Sequence, residues 1–134
     1  MIGLDTNVLL RLGDDRAPDQ RDRALALVGA QGANGCFVNA IVLSEFAWTL
    51  TRVYRLSRAE VAARIALILE APEFVVASVA EASRAVQRFR RGPADFADYF
   101  LAEINASAGC ATTATFDRDA LKSGDPFVAV PSGA

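Results

Sequence analysis

The sequence predicts an α/β fold in which a mostly parallel sheet lies between two layers of helices. The first observation is alternation, since short apolar segments that fit strands are separated by longer segments with helical spacing. The second is that a carboxylate follows two of the strand segments, at Asp5 and at Asp117. The third is composition, because 134 residues with 52% hydrophobic and 22% charged side chains fit a single domain, residues 1–134.

Each element has a local reason in the sequence. The strand candidates are short apolar segments bounded by turn residues, at 2–4, 36–39, 74–76, 109–114 and 127–130. The helix candidates are amphipathic or cap-bearing segments that begin near Thr6, Pro18, Ile41, Ser57, Ala80 and Asp95. Proline suits a first helical position because that position leaves its backbone donor unused. Ser57-Arg58-Ala59-Glu60 has the pattern of a capping box, which indicates a helix start.

Several other features of the sequence indicate the environment in which the protein functions. Asp14 and Asp15 are adjacent acids in a polar loop, where we expect both to be solvated. The two cysteines have no metal-binding spacing and are compatible with reduced thiols. No signal-peptide pattern opens the sequence, and the longest aliphatic run, 65–69, is too short to cross a bilayer. We therefore expect a soluble cytoplasmic protein with no membrane role.

The sequence contains no histidine. This excludes Ser–His and Cys–His nucleophile pairs, histidine-ligated zinc and a histidine general base. Any catalysis must therefore use carboxylates, hydroxyls, lysine or arginine. The net charge is −2, but a divalent cation bound among clustered acids would reverse the local field. The acidity of the chain thus does not exclude a substrate that carries phosphate.

Four acids are candidates for one site. Asp5 and Asp117 follow strands, whereas Glu45 and Asp98 lie near the starts of helices. In an open α/β sheet such positions can share the edge at the carboxyl ends of the strands, where ligands bind. Mg²⁺ and Mn²⁺, which prefer oxygen ligands, are the natural counter-charge for such a cluster. For an acid taken alone, an N-cap or a favourable position at a helix start is the alternative explanation.

A basic stripe precedes the helix that carries Asp98. Arg84, Arg88 and Arg91 share one face of the helix predicted at 80–91, which is either a solvated face or a set of contacts to substrate phosphates. The spacing of Asp95 and Asp98 is that of a capping box, which accounts well for an acid at position 95. It accounts less well for the acid at position 98, because apolar and aromatic residues flank Asp98.

Four segments together resemble the motifs of the PIN-domain ribonucleases. The segments are Asp5-Thr6-Asn7-Val8-Leu9-Leu10-Arg11, Ser44-Glu45, Asp95-Phe96-Ala97-Asp98 and Thr115-Phe116-Asp117-Arg118. The resemblance covers nearly the whole chain in order and spacing. The short single-domain form is similar to the VapC toxins of toxin–antitoxin pairs.

The resemblance implies a three-layer α/β/α fold with a five-stranded sheet in the order 3-2-1-4-5, and a homodimer. It implies that Mg²⁺ or Mn²⁺ is held by Asp5, Glu45, Asp98 and Asp117. It also implies supporting roles for Asn7, Thr115, Asp95 and Asp119. The activity implied is hydrolysis of RNA phosphodiester bonds by an activated water, silenced by a VapB-like antitoxin that covers the site.

The same residues argue against two other classes of Mg²⁺-dependent protein. A phosphoacceptor receiver domain would need an aspartate at the end of strand three, where Ala77 and Ser78 follow Val76. A phosphatase of the haloacid-dehalogenase type would need an aspartate at the position of Asn7. Two alternatives within the PIN family stay open: a nuclease of RNA processing with no toxin role, and a silent magnesium-binding interaction module.

Overall fold

Five short strands and seven helices make up the computed structural model, which describes residues 1–133. The strands are β1 (Ile2–Gly3), β2 (Cys36–Val38), β3 (Phe74–Val76), β4 (Thr113–Thr115) and β5 (Phe127–Ala129). The helices are α1 (Thr6–Arg11), α2 (Pro18–Gln31), α3 (Ala40–Arg52), α4 (Arg58–Glu70), α5 (Val79–Arg91), α6 (Phe96–Ser107) and α7 (Arg118–Lys122). The predicted α/β class is confirmed. None of the helices in this range is long and apolar enough to cross a membrane.

The strands pair in two parallel groups. β2 lies between β1 and β3, with Cys36 opposite both Ile2 and Phe74. β4 pairs with β5, with Thr113 opposite Phe127. These three pairings all occur in the order 3-2-1-4-5. Within residues 1–133, however, no hydrogen-bonded pairing joins β1 to β4, so the order across the whole sheet stays a prediction.

The fourth strand begins later than the sequence predicted. α6 ends in a Schellman motif, in which the Cys110 amide donates to the Asn105 carbonyl at 3.0 Å and Gly109 takes a φ of +100°. Because this cap uses the residues around Gly109, the strand predicted at 109–114 is wrong for its first four residues, and β4 begins at Thr113. Cys110 is therefore exposed, whereas Cys36 is buried in β2, and both are free thiols.

The core lies mainly between the sheet and helices α3 to α6. Its largest fully buried side chains are Tyr99, Phe89, Phe96, Phe100, Leu43 and Leu50. The ring centroids of Phe96 and Phe100 are 5.3 Å apart, and Phe89 meets Phe96 edge-on at 6.2 Å. Aromatic pairs of this kind add packing energy beyond their buried area. They fix the start of α6 against α5, and this start carries two of the acids named above.

Asp14 is buried, so the prediction that it is solvated is wrong. Its carboxylate accepts hydrogen bonds from Arg16 Nε at 3.2 Å, Arg11 Nη1 at 3.3 Å and the Tyr54 hydroxyl at 3.0 Å. The hydrogen bonds from Arg16 are the main reason that the pKa of Asp14 lies below its ordinary value. Asp15 is exposed, as predicted. Tyr54 lies 40 residues away along the chain, which is why a local pattern could not show this burial.

Candidate functional site

Asp5 and Glu45 are connected through the side chain of Thr6. Asp5 lies two residues after the end of β1 and caps α1, because its carboxylate accepts from the Thr6 amide at 2.8 Å. The buried Thr6 hydroxyl donates to Glu45 Oε2 at 2.8 Å. No role was predicted for Thr6, although its hydroxyl stands next to the candidate ligand Asp5 in the sequence. The first two motifs are therefore adjacent in the fold.

Asp117 has the same local setting after β4 that Asp5 has after β1. Its carboxylate Oδ1 accepts from the Ala120 amide at 2.8 Å and caps α7, and its own amide donates to the Thr115 hydroxyl at 3.0 Å. In both aspartates the cap bond uses Oδ1. A carboxylate has a second oxygen with its own acceptor capacity, so capping and ligand binding are compatible.

Asp98 is half-buried in the first turn of α6, close to other acids. Burial raises the pKa of its carboxyl, and the negative charges of Asp117 and Asp95 raise it further, with a smaller contribution from Asp119. These charges affect Asp98 because α6 and the segment after β4 present their acids in the same region. A cation bound there would relieve this repulsion.

Asp95 takes the N-cap position of α6, but its side chain does not cap the helix, so the capping explanation is wrong for this acid. Its carboxylate instead pairs with Arg52 Nη2 of α3 at 2.8 Å. The pKa of Arg52 is raised, first by Asp95 and then more weakly by Asp117 and Asp119. Arg52 is thus a cation held among the acids. Arg52 was not among the predicted site residues, because 43 residues separate it from Asp95 along the chain.

The four predicted metal ligands come together as two pairs in this structure. Thr6 connects Asp5 with Glu45, and charge repulsion couples Asp98 to Asp117. Across residues 1–133, no group of three Asp, Glu, Cys or His side chains is arranged to hold one metal ion. The donor types fit a hard divalent cation, since all are carboxylate oxygens and Asp98 lies among like charges. Joint coordination by all four stays a prediction.

Two of the three arginines in the stripe on α5 form hydrogen bonds to other residues of the protein. Arg84 Nε donates to the Glu103 carboxylate at 2.9 Å. Arg88 donates to the Ser123 carbonyl at 3.2 Å, and its guanidinium carbon lies 5.0 Å from the centroid of the Tyr99 ring. Arg91 is exposed in the last turn. A role of these arginines in phosphate binding stays a prediction.

Arg58 holds the turn that leads into α6. Its guanidinium donates to the carbonyls of Phe89, Pro93 and Ala94 at 2.8, 3.0 and 2.8 Å, and it lies 4.4 Å from the centroid of the Phe89 ring. Gly92 in this turn has a φ of +68°, and a Cβ there would come within 3.2 Å of Arg58 Nε. One side chain of α4 thereby sets the path of the chain into Asp95 and Asp98.

Replacing Arg58 with alanine is expected to lower the free energy of unfolding by about 2–3 kcal/mol, because bonds from a charged donor are lost and buried carbonyls lose a partner. Urea unfolding measures this change. The matched control is Arg90→Ala, which removes an exposed arginine from α5 and should shift stability by less than about 0.5 kcal/mol. Equal losses in the two variants would show that Arg58 does not hold the turn.

Comparison with known families gives one match. The family model described as PIN domain matches residues 2–125, which is most of the chain. No curated protein matches the sequence. The matched range contains all four candidate acids, Asp5, Glu45, Asp98 and Asp117.

Proposed function

The chain belongs to the PIN-domain family, and we propose that it is a metal-dependent endoribonuclease of the toxin type, silenced by an antitoxin. PIN domains are generally nucleases and typically bind divalent metal ions. The observation that carries the proposal is the position of Asp98, which is half-buried and repelled by Asp117 and Asp95. A purely structural acid at this position would destabilise the fold, whereas a metal ligand has a reason to be there.

The proposed ligands of Mg²⁺ or Mn²⁺ are Asp5, Glu45, Asp98 and Asp117, with supporting roles for Asn7, Thr115, Asp95 and Asp119. When bound, the ion lowers the pKa of a coordinated water and neutralises charge on the scissile phosphate. The side chains of the protein supply placement. The Thr6 hydroxyl orients Glu45, and the Thr115 hydroxyl fixes the backbone at Asp117. Since no histidine is present, no imidazole acts as base.

Arg52 has a proposed role in admitting RNA to this acidic region. Its guanidinium pairs with Asp95 and also interacts electrostatically with the charges of Asp117 and Asp119. A positive charge at this point lowers the repulsion between the acids and an approaching phosphate. We propose Arg84, Arg88 and Arg91 for phosphates farther along the RNA strand; Arg84 and Arg91 are exposed, and Arg88 is partly buried.

The proposed partners follow from the same charges. We propose that a basic segment of the antitoxin enters the acidic site, where an arginine would supply the counter-charge that the metal supplies in the active enzyme. We also propose that the toxin is a homodimer acting in the cytoplasm, where free thiols such as Cys36 and Cys110 persist.

Expression of the wild type and of Asp5→Asn in the same bacterial host tests this function. Asparagine caps helices about as well as aspartate, so the variant keeps the cap of α1 and loses one ligand charge. We expect the wild type to arrest growth and generate new RNA 5′ ends, and Asp5→Asn to do neither. Co-expression of the small gene next to the protein's own gene should restore growth.

Other results of the expression experiment would favour other functions. New RNA ends without growth arrest, or arrest that no small partner relieves, would favour a nuclease of RNA processing. Intact RNA in cells that express the wild type, and no copurifying small protein, would contradict the proposal and favour a binding module.

A further inference from the structure

Trp48 is an exposed aromatic side chain beside the acids at the start of α6. The residue is 55% exposed. It lies on α3 three residues after Glu45 and four before Arg52, and this spacing places the three on one helix face. A cleft of about 70 Å³ is lined by Ala47, Trp48, Thr51, Asp95, Phe96, Ala97 and Asp98. The indole therefore borders the same small space as Asp98.

Neither core packing nor a protein interface explains Trp48 well. An aromatic ring in the core would be removed from water, whereas more than half of this side chain is accessible. Glutamate is depleted at the centre of protein interfaces, but Glu45 is exposed one helical turn before Trp48 on the same face. A flat apolar surface with charged neighbours suits a nucleobase, whose face stacks while its sugar and phosphate stay in polar surroundings.

A second exposed ring lies beside another acid of the site. Phe116 is 83% exposed and directly precedes Asp117, and it is the most exposed large hydrophobic side chain in the described range. Asp117 is one of the acids whose charge acts on Asp98. Exposed aromatic side chains thus occur next to both acids of this pair.

We propose that Trp48 stacks on a base of the RNA and so positions the strand at the acids; this inference rests on the proposed ribonuclease function. Trp48 is then a positioning residue with no part in the chemistry. Such a platform takes an unpaired base, because bases in a duplex are already stacked on their neighbours and their faces are covered. The preferred substrate is therefore a single-stranded segment or a loop, and a fully paired stem binds poorly.

The sequence provides its own probe for this contact. Trp48 is the only tryptophan in the chain, so intrinsic tryptophan fluorescence reports on this side chain alone. The titration uses the Asp98→Asn variant in Mg²⁺, which keeps the RNA intact, and a short oligoadenylate as ligand. A strand of the same length and charge that lacks bases is the matched ligand. We expect strong quenching by oligoadenylate and little by the abasic strand.

Substitutions at Trp48 separate stacking from a structural role. Trp48→Ala should weaken binding of labelled oligoadenylate by about 5- to 150-fold, the range measured for loss of one stacked base. Trp48→Phe should restore most of the affinity, since a phenyl ring also stacks. Leu67→Ala is the control, because Leu67 is 64% exposed on α4, which carries none of the candidate acids, and should bind like the parent. In the cleaving enzyme, Trp48→Ala should raise KM for single-stranded RNA far more than it lowers kcat.

Three results would overturn the inference. One is equal quenching by oligoadenylate and the abasic strand, and another is a Trp48→Ala variant that binds as tightly as Leu67→Ala. The third is a blue shift of the emission with rising protein concentration in the absence of RNA, which would show that a second copy covers the indole. Failure of the proposed function is a different result: the wild type would cut no RNA, whatever the fluorescence titration gave.

Discussion

Replacing Asp98 with asparagine is expected to reduce RNA cleavage by about 10²–10³-fold or more, the loss found when one preorganised stabilising group is removed from an active site. The side chains are nearly the same size, so the packing of α6 should not change. The variant removes one of the four carboxylates proposed to hold the metal. Cleavage of a single-stranded RNA at saturating Mg²⁺ measures the effect.

The same variant should be as stable as the wild type or more stable when metal ions are removed with EDTA. Burial and the charges of Asp117 and Asp95 raise the pKa of Asp98 in the folded protein. The folded chain therefore holds this proton more tightly than the unfolded chain, and the wild type loses stability as the pH rises from the ordinary carboxyl pKa through the raised one. Asparagine does not titrate, so the advantage of Asp98→Asn should grow over that pH range. Excess Mg²⁺ should reverse the order, because only the wild type gains full binding energy.

Asp95→Asn is the matched control for the stability readout. Asp95 is three residues away on the same helix start, but its charge is paired with Arg52. Asp95→Asn breaks this ion pair while it removes one negative neighbour of Asp98, so it should bring a smaller gain in stability than Asp98→Asn. A clear loss of stability for Asp98→Asn in EDTA, together with cleavage close to that of the wild type, would show that Asp98 is a structural residue of the α6 start.

The parts of the fold that local patterns determine were predictable from the sequence. The capping box at Ser57 and Glu60 forms both of its reciprocal hydrogen bonds, because each partner lies within one helical turn. The strand candidate at 74–76 coincides with β3. The ends of the strands before Asp5 and Asp117 were also readable, since a carboxylate follows each apolar segment, and the helix start after Asp5 was predicted with the first of them. The short helix α7, which Asp117 caps, was not predicted.

Features that depend on distant partners were not predictable. Asp14 is buried where Tyr54, just after α3, bonds to it, and the Asp95 side chain pairs with Arg52 of α3 while Asp95 stays at the N-cap position of α6. The late start of β4 has a local cause, but the glycine at Gly109 was read as a strand boundary and not as a helix cap. Thr6 and Trp48 were passed over because their importance comes from contacts between α1, α3 and α6.

The ends of the cut RNA are expected to show that water, and not the 2′-hydroxyl of the RNA, is the nucleophile. A ribonuclease that uses the 2′-hydroxyl of RNA as nucleophile needs a base beside it, and this chain has no histidine to serve as one. The proposed site uses carboxylates and a hard cation, which make water the nucleophile. In-line attack by water with the 3′-oxygen as leaving group gives a 5′-phosphate and a free 3′-hydroxyl. A single 2′-deoxy substitution at the scissile position should therefore slow cleavage modestly at most, while EDTA should abolish it.

End-group analysis of RNA cut by the pure protein in Mg²⁺ or Mn²⁺, with an EDTA control, tests the four-acid site most directly. The expected result is 5′-phosphate and 3′-hydroxyl ends that form only when the divalent ion is present. Ends that carry a 2′,3′-cyclic phosphate, or cutting that continues in EDTA, would contradict a metal site built from Asp5, Glu45, Asp98 and Asp117.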